Sequence, residues 1–325
     1  MKKKENRYLI FDTAKKLGIR NFLKYCLNLI DRIVYKIKYY LFKPNISYSN
    51  CKYDVSICAI FKNEADYLKE WIEFHRIIGI NHFYLYNNQS SDNYFDVLLP
   101  YINEGIVTLK DWPKPQSQMS AYQDFMSNYK SDTKWVGFID LDEYVVPNKF
   151  DNIYDFLKKF DNNRPAILIY WKCFGTSGFR TRNVTGLITE DFVVSWHKYV
   201  DIGKFFFNTS YGYIPDYKRN NYMHYMWAEC RNIKMPPVNV FDKVCTWGVN
   251  PMSSGEVPIQ INHYLIKSFD EYTQKKAKRG GGVHPPGMHD YDYFYQHEMK
   301  CCDVDYHAYK YLIKLKLAME GRAAK

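Results

Sequence analysis

Two carboxylates, Asp140 and Asp142, stand at the end of an apolar run, Trp135-Val-Gly-Phe-Ile139, and Glu143 and Tyr144 follow them. On an extended segment, side chains two apart point to the same side. This spacing offers a hard divalent cation two oxygen donors and leaves room for the oxygens of a diphosphate. Ligands of open α/β sheets bind at the carboxyl ends of strands, so the motif suits a site for a metal and a nucleotide-sugar. Alone, D-x-D also describes a solvated strand end or a helix cap. Its meaning depends on the elements that carry it.

Those elements alternate. Val55 to Phe61 reads as a buried strand, and Glu64 to Ile78 as a helix that Gly79 stops. His82 to Tyr86 is a second strand, Asp92 to Ile102 a second helix and Ile106 to Leu109 a third strand. Ser117 to Tyr129 is a third helix, and Trp135 to Ile139 the fourth strand. Such alternation predicts an α/β fold with a mostly parallel, doubly wound sheet. Beyond Pro147 the pattern becomes irregular. A helix is expected over Asp151 to Phe160, a strand over Ala166 to Trp171 and a terminal helix over Lys310 to Met319. Residues 205–260, rich in Tyr, Asn and Pro, are expected as strands and loops laid over the sheet. There is no glycine-rich phosphate loop of the G-x-G-x-x-G or G-x-x-x-x-G-K type, which argues against a Rossmann dehydrogenase or a P-loop enzyme.

The 325 residues carry a net charge of +10, unevenly placed. Residues 1–44 contribute +9 and the remaining 281 only +1. Basic character confined to one arm argues against a nucleic-acid groove across the body. The eight cysteines form no C-x-x-C pair, which suggests neither zinc nor a redox dithiol and agrees with a reducing compartment. In the arm, Phe22, Cys26, Leu29, Ile33, Ile37 and Leu41 recur at helical spacing among Arg20, Lys24, Arg32, Lys36 and Lys38, and Pro44 ends the segment. No run is long and apolar enough to span a bilayer, and the start lacks the pattern of a secretory signal. A basic amphipathic helix of this kind lies on an anionic membrane surface. It can instead pack on the body and leave its basic face to solvent. The expected division is an arm at 1–50 and a catalytic domain at 51–325, with a nucleotide-binding half at 51–147 and an acceptor-side half at 148–325.

Several segments together resemble GT-A-fold glycosyltransferases, especially family 92 and bacterial relatives similar to family 2. Cys58-Ala-Ile-Phe-Lys-Asn-Glu64 resembles their first strand and loop. Tyr86-Asn-Asn-Gln-Ser-Ser-Asp92 sits where many family-2-like enzymes carry Asp-Asp-Gly-Ser-Thr-Asp. Phe138-Ile-Asp-Leu-Asp-Glu-Tyr144 resembles their D-x-D. Trp171-Lys-Cys-Phe-Gly-Thr-Ser-Gly178 resembles the Trp, Phe-Gly and Ser-Gly signature. Ile261-Asn-His-Tyr-Leu-Ile-Lys-Ser268, with Lys278-Arg-Gly280, resembles the downstream Asn-His-Tyr, Lys-Ser and Arg-Gly block. The likeness runs from about residue 54 to residue 305 in the family's order and leaves out the arm.

The resemblance implies a GT-A-like sheet with irregular acceptor-side additions and a donor site holding Mn²⁺ or Mg²⁺ with a UDP-sugar. Asp140 and Asp142 would engage metal and nucleotide, Asp142 as the direct metal ligand. His263 matches a histidine that such enzymes place near the metal and diphosphate, and neutral imidazole accepts Mn²⁺. The other reading of His263 is a buried ring bonded to a backbone carbonyl. Lys267, Lys278 and Arg279 can neutralise the leaving diphosphate, although 274–279 also reads as an ordinary basic helix end. The glycines at 280–282 suggest a segment that closes over donor, or a linker. Asn63, Glu64, Asn88 and Asp92 would hold base and ribose. Glu64 and Asp92 also suit helix capping. The implied reaction is transfer with inversion, for which Glu190 and Asp191 are candidate bases, with Glu229 behind them. The expected function is metal-dependent transfer of a sugar from a UDP-sugar to a glycan or lipid-linked hydroxyl. The expected setting is surface-polysaccharide or lipopolysaccharide synthesis, peripheral on the cytoplasmic face of the cell membrane. A metal-dependent phosphohydrolase or nucleotidyltransferase, and an inactive membrane-associated sugar-nucleotide-binding protein, stay open beside it.

Overall fold

The computed structural model describes residues 19–43, 51–200, 202–214, 224, 226–245, 256–279 and 290–322. The glycines at 280–282 and the side chains of Phe22 and Arg279 lie outside the described residues. A first run comprises α1 (Ile19–Leu41), β1 (Tyr53–Phe61), α2 (Ala65–Ile77), β2 (His82–Asn87), α3 (Tyr94–Asn103), β3 (Val107–Asp111), α4 (Gln118–Asn128) and β4 (Thr133–Phe138). A second comprises β5 (Glu143–Pro147), α5 (Ile153–Leu157), β6 (Ala166–Cys173), α6 (Ile188–Asp191), β7 (Val194–Trp196) and β8 (Gly203–Asn208). Then come β9 (Gly212–Tyr213), β10 (Ala228–Cys230), β11 (Ile233–Met235), β12 (Val238–Asn239) and β13 (Ile259–His263). The chain ends with α7 (Phe269–Glu271), a π-helical turn at Tyr272–Lys276, α8 (Ala277–Arg279), α9 (Tyr291–Glu298), β14 (Cys301–Val304) and α10 (Leu312–Met319).

The central sheet has the order β3-β2-β1-β4-β8-β6-β13-β5, with β12 beside β6. β3, β2, β1 and β4 are parallel, as the alternating pattern predicts. Successive units are added on one side of β1 until β4 crosses to the other. The strand order therefore reverses between β1 and β4, and their carboxyl ends open the crevice where such sheets bind ligands. β6 and β13 are also parallel, whereas β8 runs antiparallel to both β4 and β6, and β5 antiparallel to β13.

Two departures from the sequence reading matter. The stretch from residue 205, expected above the sheet, contributes β8 to its centre. Every residue from Gly203 to Asn208 is buried, because Phe205, Phe206 and Phe207 are covered on both faces. Close approach on both sides depends on glycine. A Cβ on Gly203 would meet the Ile169 carbonyl oxygen at 1.8 Å, and one on Gly137 would meet the Phe206 ring at 2.6 Å. The second departure is β5, where Glu143 to Pro147 forms a fully buried strand directly after the D-x-D.

Helix α1 forms as the spacing predicts, but a different face docks. Tyr39 is buried, its hydroxyl donates to the Pro236 carbonyl, and the Arg164 guanidinium lies 4.8 Å from its ring centre. Tyr35 meets Trp227 edge-on at 5.6 Å. The predicted stripe stays outside: Leu29, Ile33, Ile37 and Leu41 are exposed. No described helix is long and apolar enough to cross a membrane, and the eight cysteines are unpaired.

Candidate active site

The D-x-D does not continue its strand. β4 ends at Phe138, and residues 140–143 turn, with the Glu143 amide donating to the Asp140 carbonyl at 3.1 Å. Strand alternation therefore does not govern these side chains, and the expectation that both carboxylates face one way is corrected. The Trp71 indole NH clamps the turn by donating to the carbonyls of Asp140 and Glu143, at 3.2 and 2.8 Å.

Asp140, partly exposed, turns toward the buried Lys204. Its Oδ2 lies 2.7 Å from Lys204 Nζ, and its Oδ1 accepts from Gln118 Nε2 at 2.7 Å and from the Tyr122 hydroxyl at 3.4 Å. Its amide donates to Glu143 Oε2 at 3.0 Å. Lys204, only 1% exposed, sits 3.7 Å from that same Glu143 oxygen. Burial alone would lower the Lys204 ammonium's pKa, but Asp140 and Glu143 outweigh it and hold the pKa above the usual value. Burial pushes the Glu143 carboxyl well up, and the charges of Asp140 and Asp142 add to this while Lys204 opposes. Asp140, expected to bind both metal and nucleotide, thus already has both oxygens engaged by protein groups.

Asp142 faces the other way, toward His263, with 3.8 Å between Asp142 Oδ1 and His263 Nε2. The β5–β13 ladder sets this meeting, since His263 is the register partner of Glu143. The Tyr264 amide, donating to the Asp142 carbonyl at 2.8 Å, locks the two segments together. The Trp171 ring lies against His263 at 4.6 Å between centroids, and His224 meets that indole edge-on at 5.0 Å.

Asp142 also lines a cleft of about 40 Å³ with Glu64, Tyr67, Lys267 and Glu271. Lys267 adopts a left-handed backbone, φ 55°, and places its ammonium 3.5 Å from the centre of the Tyr67 ring and 3.8 Å from Glu64 Oε2. Arg182 and Lys275 approach the same ring at 4.5 and 5.3 Å, both paired with Asp66. Three cations thus gather around the Tyr67 ring near Asp142, each paired with Glu64 or Asp66.

The loop residues expected at base and ribose knit the crevice. Asn63 accepts from the Ser91 amide at 2.7 Å, and its own amide donates to Ser90 Oγ at 2.9 Å. Asn88 donates to the carbonyls of Trp112 and Lys114, at 2.8 and 2.7 Å. Asp92 accepts from the Ala65 amide at 2.8 Å and so caps α2 from the neighbouring loop. Glu64, at the N-cap position of α2, makes no side-chain cap bond. Lys278 is exposed at the end of α8.

Glu190 and Asp191 lie to one side of this group, linked to it through the Arg182 charge that reaches Asp191. Glu190 pairs with Lys316 of α10 at 2.5 Å, and Asp191 accepts from Asn183 while facing Gly186. The N-terminus of their short helix is capped by the buried Glu70 carboxylate, through the amides of Ile188 and Thr189. Glu229 lies in β10, within the small β11-β10-β9 sheet.

As a metal site, the donor set fits in part. Asp142 Oδ1 and His263 Nε2 are an oxygen and a nitrogen close enough to share one ion of the Mn²⁺ type. Asp140 is already bound by Lys204 and Gln118. Among the described residues, no group of three or more His, Cys, Asp or Glu side chains is arranged to hold a metal. A cation at this pair would find two protein donors, Asp142 and His263, and would need further ligands from a bound molecule. Lys204, Gln118 and Tyr122 were not singled out in the sequence. The available signal was a single lysine inside the apolar run Gly203-Lys-Phe-Phe-Phe-Asn208, a charge that burial obliges to find an acid.

A family model described as glycosyltransferase family 92 matches residues 52–218, which include β1 to β4, the D-x-D and β8. A family 92 protein of Ricinus communis is 27% identical over 132 residues, covering 39% of this chain and 24% of that protein. Galactan beta-1,4-galactosyltransferase GALS3 of Arabidopsis thaliana is 34% identical over 113 residues, covering 30% of this chain and 22% of that protein. The chain thus spans under a quarter of the length of these relatives. Among solved structures, residues 1–349 of S. aureus TarS align with a TM-score of 0.34 and 11% identity, over 50% of this chain and 51% of that one. The match of half the sequence to one family model, on a sheet whose order reverses at β1, decides the assignment: the chain belongs to glycosyltransferase family 92.

Proposed function

We propose that the protein is a glycosyltransferase that moves a hexose from a UDP-sugar to an acceptor hydroxyl, with a divalent cation at Asp142 and His263. The observation that carries this reading is the division of the D-x-D turn. One carboxylate is paired with the buried Lys204, and the other is set beside His263 in the crevice at the carboxyl ends of β1 and β4. The relatives named as galactan beta-1,4-galactosyltransferases support a hexosyl donor. A cation at this pair, Mn²⁺ or Mg²⁺, would neutralise charge on the donor diphosphate. The chain's own groups would do the rest. Lys267, with Arg182 and Lys275 behind it, meets the negative charge that grows on the leaving group. Trp171 offers an apolar wall beside His263. Glu64, Asn63, Asn88 and Asp92 shape the loops that receive the nucleoside. Inversion at the anomeric carbon follows from the family resemblance. Glu190 and Asp191 have structural partners, so the proposal assigns them no proton transfer.

The setting we propose is a membrane surface, with surface-polysaccharide or lipopolysaccharide assembly at its cytoplasmic face. Its support is the basic arm and the exposed apolar side of α1. The test is incubation of the full chain with labelled UDP-hexoses, Mn²⁺ and a membrane extract as acceptor source, beside Asp142→Asn. Label transferred by the wild type and lost in the variant supports the reading. Release of free phosphate or of free nucleotide without transfer would favour a hydrolase instead.

A further inference from the structure

Between α1 and the body lies a recess of about 350 Å³ lined by Lys36, Tyr39, Tyr40, Lys43, Arg164 and Asp242, with Asn163 at its edge. Its charge is lopsided. Three cations face one acid, and both Asp242 oxygens are already bound by the Arg164 guanidinium, at 2.5 and 2.7 Å. Further cations crowd the same place: burial lowers the Lys243 ammonium's pKa, and the charges of Arg32 and Lys36 lower it further. Such a concentration of like charge around a cavity calls for an anion.

The same helix carries a second feature. Leu23, Leu27, Ile30, Val34, Ile37 and Leu41 recur at spacings of four and three, and all are at least 40% exposed on a helix that is docked through Tyr35 and Tyr39. A continuous apolar stripe of this length marks an interaction surface. Tyr40, 76% exposed, lies on the helix circumference between that stripe and the lysines of the recess.

We propose that the recess binds the headgroup phosphate of an anionic phospholipid while the apolar stripe of α1 lies in the bilayer interface. Lys36 and Lys43 supply the charge beside the Arg164–Asp242 pair, and Tyr40 sits at the level where aromatic rings meet headgroups. Charge complementarity selects the anionic bilayer over a protein partner, because the apolar stripe is bordered by a recess lined with Lys36 and Lys43. This inference rests on the membrane-surface reading above and adds to it a defined site.

The experiment is vesicle flotation of the full chain with phosphatidylcholine vesicles, with and without phosphatidylglycerol, comparing wild type, Lys36→Gln, Lys43→Gln and Lys38→Gln. Lys38 belongs to the same helix but does not line the recess. The expected result is strong preference of the wild type for phosphatidylglycerol, reduced about tenfold by Lys36→Gln and by Lys43→Gln, and by no more than about threefold by Lys38→Gln. Equal losses in all three variants would mean a diffuse field; membrane attachment would stand and the headgroup site would be overturned. Wild-type protein that ignores phosphatidylglycerol would overturn both.

Discussion

Lys204 and Asp140, 64 positions apart, meet at 2.7 Å, and this contact gives the two carboxylates of the D-x-D different partners. Once Asp140 is held by Lys204 and Gln118, Asp142 is presented to His263. Lys204→Met is expected to leave the buried Glu143 and the partly exposed Asp140 without their cation and to cost about 1–3 kcal/mol in urea-induced unfolding. A loss below about 1 kcal/mol would show that the pair does not organise the turn.

His75 ties the same turn to α2. Its Nδ1 donates to the Trp71 carbonyl at 2.8 Å, and its Nε2 accepts from the Val145 amide at 3.2 Å, an arrangement that only the neutral ring allows. Burial lowers its pKa to about 3. Unfolded, the ring takes a proton near pH 6.5. Between these values the unfolded chain holds more protons, so stability is fully present above about pH 6.5 and falls as pH drops toward 3. Unfolding followed against pH should show this decline, and His75→Gln should flatten it while costing about 1–2 kcal/mol at neutral pH.

Lys267 holds a left-handed backbone conformation in order to place its ammonium over Tyr67 beside Asp142. Such a conformation costs a residue with a side chain about 1–2 kcal/mol, and glycine almost nothing. Lys267→Gly is therefore expected to leave the melting temperature unchanged or raised, and to weaken UDP binding about tenfold. Unchanged UDP affinity would remove Lys267 from the donor site.

Glu190 is held by Lys316 in a contact open to solvent. Glu190→Gln should lower stability by no more than about 1 kcal/mol and leave transfer near the wild-type rate. A loss of a hundredfold or more in kcat with donor KM unchanged would restore Glu190 as the catalytic base.

The parallel half was readable because each unit is local. Val55 to Phe61 and Trp135 to Phe138 are apolar runs bounded by clear helices, and the structure places them side by side. His263 was readable as part of a motif, and β13 brings it to Asp142. What escaped depends on long-range pairing. A lysine in Gly203-Lys-Phe-Phe-Phe-Asn208 does not look like the middle of a sheet until an acid from the D-x-D turn neutralises it. β5 was hidden because Glu143, at its start, reads as polar although the fold buries it. The D-x-D itself misled through geometry: two residues apart means one face on a strand, but Asp140 and Asp142 lie on a turn. The apolar residues of α1 were visible, whereas the face that docks is chosen by Tyr35 and Tyr39, whose partners Trp227, Arg164 and Pro236 are remote in sequence.

The most direct test is calorimetric titration of UDP into wild type, Asp142→Asn and Asp140→Asn, with and without Mn²⁺, beside unfolding curves for each. The expected result is micromolar binding by the wild type that requires Mn²⁺. Asp142→Asn should lose it with stability intact, and Asp140→Asn should be destabilised first of all. Tight, Mn²⁺-dependent UDP binding retained by a well-folded Asp142→Asn would contradict the assignment of Asp142 and His263 as the metal and donor site.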